Sequence, residues 1–157
     1  MEHVISVLVE NRFGVLSHIS GMFSGRGFNI DSLAVGETED PSISRMTIVV
    51  HGDDSVVAQI LKQLNRQVDV IKVEDLTGRE YVDRELMLIK VSITAKNRGE
   101  LLEIANIFRC RVVDVQTESL TIEAVGSGDK LQALLSMCKQ YGIRELVRTG
   151  RIGIVRG

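Results

Sequence analysis

The sequence carries the same order of predicted elements twice, and this repetition limits the possible folds more than any other feature. Each half reads strand, helix, strand, strand, helix, strand over about 75 residues. The strands are short runs rich in Val and Ile, predicted at residues 4–9, 30–35, 45–50 and 68–73 and again at 86–94, 111–117, 120–125 and 143–147. This βαββαβ order is typical of a ferredoxin-like fold, in which two helices cover one face of a four-stranded antiparallel sheet.

Between these strands, apolar residues recur at the spacing that places them on one side of a helix. The first half carries two such stripes: Val15, Leu16, Ile19, Met22 and Phe23, then Val56, Val57, Ile60, Leu61 and Leu64. The second half carries two more: Leu101, Leu102, Ile104, Ala105 and Phe108, then Leu131, Leu134, Leu135 and Cys138. Asp53, Asp54 and Ser55 precede the second stripe and predict a capped helix start.

A polar stretch that contains Gly78, residues 77–84, separates the two halves. We therefore predict the α+β class, with a ferredoxin-like domain at residues 1–76, a linker at 77–84 and a second ferredoxin-like domain at 85–157. A single core of this size is only marginally stable. We expect the halves to pack on something else, most simply on another copy of the chain.

The composition is that of an ordinary globular protein, with 44% hydrophobic and 25% charged residues. The net charge of −2 divides into −5 for residues 1–76 and +3 for residues 77–157. The second half could prefer an acidic partner, but its arginines are scattered, which favours a solvated surface. No apolar run approaches the ~18 residues of a membrane span, and the start has no signal-like segment, so we expect a cytoplasmic protein without a membrane partner.

Several kinds of site are excluded by spacing. Cys110 and Cys138 form no Cys-x-x-Cys pair, and His3, His18 and His51 lie far apart, so no metal is predicted. The glycines Gly21, Gly25 and Gly27 fall at the far end of the first helix, where a dinucleotide or P-loop motif does not put them. No nucleophile elbow and no aromatic RNA-binding motif is present, so neither nucleophilic catalysis nor nucleic-acid binding is predicted.

The turn at residues 11–14 remains as a candidate site. It leads into a helix N-terminus, where unpaired N–H groups and the helix dipole favour a carboxylate. Gly14 permits close approach of a ligand, and the Asn11 amide can donate and accept, which suits an amino acid. The residues alone leave a second interpretation open, in which Asn11 caps the helix and Gly14 only permits the turn.

The same stretch resembles a known family. Residues 11–16 read N-R-F-G-V-L and are similar to the turn of many amino-acid-binding ACT domains. Residues 26–33 read R-G-F-N-I-D-S-L, a narrower motif that closely resembles the regulatory (small) subunit of acetolactate synthase, also called acetohydroxyacid synthase. The matching is strong over residues 3 to about 52, including residues 44–48, and the second half fits this family in length and plan.

The resemblance implies an N-terminal ACT domain that pairs with its copy in a second chain, forming an eight-stranded sheet with two effector sites at the interface. It assigns each site to Asn11 and the backbone of Gly14, Val15 and Leu16 from one chain, with Asn29 and Ile30 from the other. The effector it implies is a branched-chain amino acid, usually valine. Leucine and isoleucine are close competitors, because one methylene discriminates by only about 1–3 kcal/mol.

The resemblance also implies a non-catalytic chain that binds a separate catalytic (large) subunit, raises its activity, and lowers that activity when the effector binds. Thiamine diphosphate, Mg²⁺ and FAD are expected in the catalytic subunit, and no cofactor is expected in this chain. Two alternatives differ from this expectation: a free-standing ACT-like sensor acting on another enzyme or on transcription, and an enzyme with an unrecognised site.

Overall fold

Both halves of the chain form the predicted α+β arrangement of one antiparallel sheet and two helices. The computed structural model describes all 157 residues, Met1–Gly157. They divide into a first unit, Met1–Val82 with Arg151–Gly157, and a second unit, Asp83–Gly150. No helix of the chain is both long enough and apolar enough to cross a membrane.

The first unit follows the predicted element order. Its elements are β1 (Glu2–Glu10), α1 (Val15–Gly25), β2 (Ile30–Glu37), β3 (Ile43–His51), α2 (Asp54–Arg66) and β4 (Val70–Asp75). The strands lie in the order β2-β3-β1-β4, so β2 and β4 are the two edges of the sheet. All three pairings are antiparallel, which confirms the ferredoxin-like topology.

Alternate residues of the central strands point towards the helices and form the core of this unit. Ile5, Val7 and Ile48 are at most marginally accessible, and they pack with Ile19 of α1 and Leu64 of α2. Burying an aliphatic side chain of this size contributes about 1.5–3 kcal/mol. This shared core fixes both helices on one face of the sheet.

The second unit repeats the plan. Its elements are β5 (Tyr81–Ser92), α3 (Arg98–Ile107), β6 (Arg111–Val115), β7 (Ser119–Gly126), α4 (Gly128–Lys139) and β8 (Ile143–Arg148). The strand order β6-β7-β5-β8 is the same as in the first unit. Its core contains Ile89, Leu101, Ile122 and Leu134, all of which are fully buried.

The compact units differ from the predicted ranges 1–76, 77–84 and 85–157 in two places. Tyr81 to Arg84, predicted as part of the linker, already belong to β5, whose charged residues hid the strand pattern. Residues 152–155 form a ninth strand, β9 (Ile152–Val155), which belongs to the first unit. It pairs with β5, whose first two residues, Tyr81 and Val82, also belong to the first unit. A run of four residues is too short to establish a strand pattern. The strand with which β9 pairs lies about 70 positions earlier, so the sequence near β9 does not indicate it either.

Part of the helix-free sheet face of the first unit is covered by its own chain. Val4 and Val49 point to that face, and they form a small cluster with Leu76, Tyr81 and Val155. A ferredoxin-like sheet leaves this face to solvent or to a partner, because both helices lie on the other face. Here the end of the chain supplies part of the cover.

Candidate functional site

Gly14 forms the start of α1 in a conformation that favours glycine. It is the N-cap residue with φ 85°, in the left-handed region, and no side chain caps the helix. A Cβ at Gly14 would meet no atom within 4 Å, so the space above this turn is open. The interpretation in which Asn11 caps α1 is therefore wrong.

The first amides of α1 are left for another acceptor. His18 N–H donates to Gly14 O at 3.0 Å, whereas the N–H groups of Leu16 and Ser17 donate to no acceptor in the structure. In the same unit, Asp53 caps α2 by accepting the Val56 N–H at 2.9 Å, as the sequence predicts. A side chain therefore caps the start of α2, whereas no side chain caps the start of α1. An uncapped helix start favours the binding of an anion.

The side chain of Asn11 points to the loop between β2 and β3. Its Nδ2 donates to Pro41 O at 2.9 Å and to Glu37 Oε1 at 3.2 Å. Its N–H donates to Ser42 O at 2.7 Å, which fixes the turn against the same loop. The amide oxygen of Asn11 receives no hydrogen bond, so it is free to accept one from an ammonium group.

Glu37 is a contact of Asn11 that the sequence did not predict. It lies 26 positions from Asn11 in an acidic turn that reads as an ordinary solvated loop. The β2–β3 hairpin brings its carboxylate to Asn11, and an exposed carboxylate beside an amide suits a cation. Asp40 in the same turn serves the backbone instead, since hydrogen bonds from the Ser42 hydroxyl and then the Ser42 N–H lower the pKa of Asp40.

Val15 and Leu16 follow Gly14 with different exposures. Val15 is buried in the core and anchors the first turn of α1, whereas Leu16 is 47% exposed beside the open amides. Phe13, at the tip of the turn, is fully exposed. The turn therefore presents apolar surface next to its free N–H groups.

Asn29 and Ile30 lie at the opposite end of β2 from Asn11. Ile30 pairs with Val50, near the end of β3, whereas Glu37 pairs with Ser44 at its beginning. Seven residue steps along a strand span about 23 Å. Asn29 is exposed and makes no hydrogen bond, so one chain does not bring it together with Asn11.

A buried aspartate holds the 11–14 turn in place, and this contact was also missed. Asp69 is 8% exposed. Its carboxylate accepts from Arg12 Nη2 at 2.9 Å and lies 3.3 Å from His18 Nδ1. Arg12 also pairs with Glu10 at 3.2 Å. The charge of Arg12 is thus engaged within the chain, and nothing in the sequence links it to a residue 57 positions away.

The cysteines and histidines gather no metal site. No group of three or more His, Cys, Asp or Glu side chains is positioned to hold an ion. Both thiols are free, and burial raises the pKa of Cys138 to about 11, so this thiol stays protonated at neutral pH. His3 is buried, with Nδ1 3.0 Å from the Asp75 carboxylate.

Two family models match the chain, one in each half. Residues 5–72 match the model described as an AHAS small subunit-like ACT domain. Residues 84–157 match the model described as the small subunit of acetolactate synthase.

Curated relatives match over nearly the whole length. The chain is 53% identical to a probable acetolactate synthase small subunit of Archaeoglobus fulgidus over 157 residues, which is 100% of this chain and 98% of that protein. It is 54% identical to the acetolactate synthase small subunit of Mycolicibacterium smegmatis over 155 residues, 99% of this chain and 91% of that protein. The crystal structure of the small subunit from Thermotoga maritima superposes with a TM-score of 0.89 at 38% identity, covering 100% of this chain and 98% of that one.

Proposed function

This chain belongs to the family of acetolactate synthase small subunits, and from that premise we propose that it is a regulatory subunit without catalytic activity of its own. It binds the catalytic subunit, raises the rate of acetolactate formation, and confers feedback inhibition by valine or another branched-chain amino acid. Thiamine diphosphate, Mg²⁺ and FAD belong, in this proposal, to the catalytic subunit.

The open start of α1 holds the effector carboxylate. The N–H groups of Leu16 and Ser17 and the positive end of the helix dipole provide the attraction, and Gly14 allows the carboxylate to approach the backbone. The Asn11 amide oxygen and the Glu37 carboxylate accept hydrogen bonds from the effector ammonium. Leu16 contacts the aliphatic side chain.

A second chain completes each site. Antiparallel pairing of two β2 edges reverses the direction of the partner strand, so the Asn29 and Ile30 end of one chain meets the Asn11 end of the other. The separation of about 23 Å between those ends within one chain supports a shared site. Effector binding then changes how the two chains sit, and a coupling of about 1–3 kcal/mol gives a substantial allosteric response.

The observation that carries this proposal is the uncapped start of α1 beside the Asn11 amide. It is tested by calorimetric titration of the purified chain with valine, leucine and isoleucine, using the parent and Gly14→Asp. The new carboxylate occupies the position of the effector carboxylate. We expect affinity to fall at least about tenfold, since a like-charge contact costs more than about 1.4 kcal/mol.

Two controls separate charge from backbone strain. Gly142→Asp puts the same residue at another exposed left-handed position, φ 95°, in the second unit, and should bind valine like the parent. Gly14→Asn has the size of Asp without its charge and should lose less affinity. Unchanged valine binding by Gly14→Asp would exclude this site.

The regulatory role is tested separately by mixing the chain with the catalytic subunit. We expect acetolactate formation to rise on mixing and to fall again when valine is added. Turnover by this chain alone would contradict the proposal, and so would a failure to bind the catalytic subunit, which would favour a free-standing sensor.

A further inference from the structure

A groove lies between the two helices of the first unit. It is separate from the turn at residues 11–14 that we propose as part of the effector site, called the effector turn below. It has a volume of about 340 Å³ and opens to solvent. Its lining residues come from α1, from the residue after it, and from the end of α2: His18, Gly21, Met22, Gly25, Arg26 and Gln67.

Two glycines expose the backbone of α1 in this groove, and packing within the unit does not require them. Gly21 lies inside α1, where glycine costs about 1 kcal/mol relative to alanine. A Cβ at Gly21 or Gly25 would meet no atom within 4 Å. The unit therefore has room for larger side chains at both positions. Their absence leaves a bare surface that another backbone can approach closely.

Apart from Asp54 at the start of α2, the two helices beside the groove carry no carboxylate. Residues 1–76 contain eleven Asp and Glu, yet none of them falls in residues 15–28 or 55–68. These two stretches hold three permanently charged cations, Arg26, Lys62 and Arg66, all of them exposed. Arg26 bonds only to the uncharged Gln63, at 2.8 Å, and Lys62 and Arg66 have no carboxylate partner in the structure.

The second unit provides an internal comparison, because it repeats the same plan. Helix α4, with Asp129 in its first turn and Lys139 in its last, resembles α2, which begins at Asp54 and ends at Arg66. Helix α3 differs from α1, because α3 combines Arg98 with Glu100 and Glu103 whereas α1 carries no carboxylate. Mixed charge of this kind is usual for a helix that faces water. The lack of carboxylates on α1 is therefore not a property of the fold.

We propose that the groove between α1 and α2 is the docking site for an acidic helix of the catalytic subunit, which packs on Gly21 and Gly25 and pairs its carboxylates with Arg26, Lys62 and Arg66. This inference rests on the proposed function, which supplies the partner. The positive charges of Arg26 in the groove and of Lys62 and Arg66 on α2 steer and orient such a helix, and the bare backbone at Gly21 and Gly25 lets it approach closely.

The charges of the first unit argue against two other partners for the groove, a second copy of the chain and a nucleic acid. A second copy in a two-fold contact presents the same patch to itself, which sets one positive groove against another. A nucleic acid would meet a unit whose residues 1–76 carry a net charge of −5. An acidic protein helix avoids the first conflict, and it limits the second because its few carboxylates can be confined to the contact with Arg26, Lys62 and Arg66.

The test compares two charge reversals in equivalent places. Arg66→Glu lies in the last turn of α2, and Lys139→Glu lies in the last turn of α4 in the second unit. Both side chains are exposed, so neither change is expected to unfold the chain. We expect Arg66→Glu to weaken the affinity for the catalytic subunit about tenfold at low salt, and Lys139→Glu to leave it unchanged.

A second variant tests the bare backbone. Gly21→Leu should retain the circular dichroism of the parent, because a side chain at this position points into open space. We expect it to weaken binding to the catalytic subunit about tenfold by blocking close approach. If Arg66→Glu and Gly21→Leu both bind the catalytic subunit with the affinity of the parent, the groove is not its docking site.

Valine titration of the same variants separates this inference from the proposed function. Both variants should bind valine as the parent does, since the effector turn is unaltered. If they also bind and activate the catalytic subunit normally, the groove is excluded and the regulatory function stands. If the variants instead lower self-association in light scattering, the groove packs on a second copy, and the inference is overturned.

Discussion

At the scale of single residues, the two helix starts of the first unit show how one position separates a structural turn from a candidate site. Asp53 closes α2 with its own carboxylate, and hydrogen bonds from the Ser55 hydroxyl and then the Val56 N–H lower the pKa of Asp53. Gly14 has no side chain with which to cap α1. In its left-handed conformation, with φ 85°, the amides that follow it stay accessible. A glycine at a helix start therefore indicates a candidate binding site when no other residue caps the helix.

Cys138 should make stability depend on pH in the alkaline range. Burial raises the pKa of its thiol to about 11, whereas a thiol in the unfolded chain ionises near 9. Above pH 9 the unfolded state loses this proton first. The free energy of unfolding should therefore fall between pH 9 and 11, by about 2–3 kcal/mol in total.

Urea unfolding of the parent and Cys138→Ala at pH 8 and pH 11 measures this effect. The variant is expected to be less stable at pH 8, because it leaves a cavity, but to lose less stability on going to pH 11. Cys110 is present in both proteins and cancels in the comparison. Equal losses in the two proteins would show that Cys138 does not carry the pH dependence.

At the scale of elements, the two edge strands of the first unit differ in chemistry. β2 is charged only near its two ends, at Asp31 and Glu37, and residues 32–36 between them are uncharged, whereas the shorter β4 carries Lys72, Glu74 and Asp75. Charged residues on an edge oppose pairing with another chain, and their absence permits it. The sheet therefore offers β2 as the edge for the proposed pairing of two chains.

Val35→Lys tests this edge. Val35 lies on β2 and is 46% exposed, so a lysine there is compatible with the fold of one chain but opposes edge-to-edge pairing. We expect the variant to be monomeric at micromolar concentration in light scattering, under conditions in which we expect the parent to be a dimer. Valine binding should weaken with it, because the proposed site needs both chains.

The other edge supplies a matched control. Ile71 lies on β4 and is 51% exposed, so Ile71→Lys makes the same change at similar exposure. It should leave the dimer intact. A dimeric Val35→Lys, or an Ile71→Lys that dissociates, would move the interface away from β2.

At the scale of the whole molecule, the chain returns to its first unit after completing the second. Gly153 N–H approaches Thr47 Oγ1 at 3.4 Å, and Arg151 N–H donates to Ser32 Oγ at 3.0 Å. Val155 packs on the helix-free face in the cluster with Val4 and Val49. The last seven residues are therefore part of the first unit's structure.

Val155→Asp should destabilise the first unit selectively. A carboxylate in this apolar cluster lacks a partner, and we expect the free energy of unfolding to fall by about 1–3 kcal/mol. Hydrogen exchange should speed up in β1 and β3 and remain unchanged in β6 and β7. Val147→Asp, at a valine of β8 that is 55% exposed, should change stability by less than about 0.5 kcal/mol.

The sequence alone was enough for the repeated plan, since periodicity of 2 and 3.6 residues is a local property that survives without knowledge of the partners. It also predicted the Asp53 cap and the candidate turn at Asn11 and Gly14, because caps and turns depend on residues a few positions apart. The same local information wrongly allowed Asn11 to cap α1, since it does not report where a side chain points.

The tertiary structure decided what depends on contacts between distant positions. It joined Asn11 to Glu37 and Arg12 to Asp69, and it returned β9 to the first unit. It also separated Asn29 from Asn11 along β2 within one chain. These relations follow from strand pairing and core packing, whose energies come from residues far apart in sequence, so no local pattern carries them.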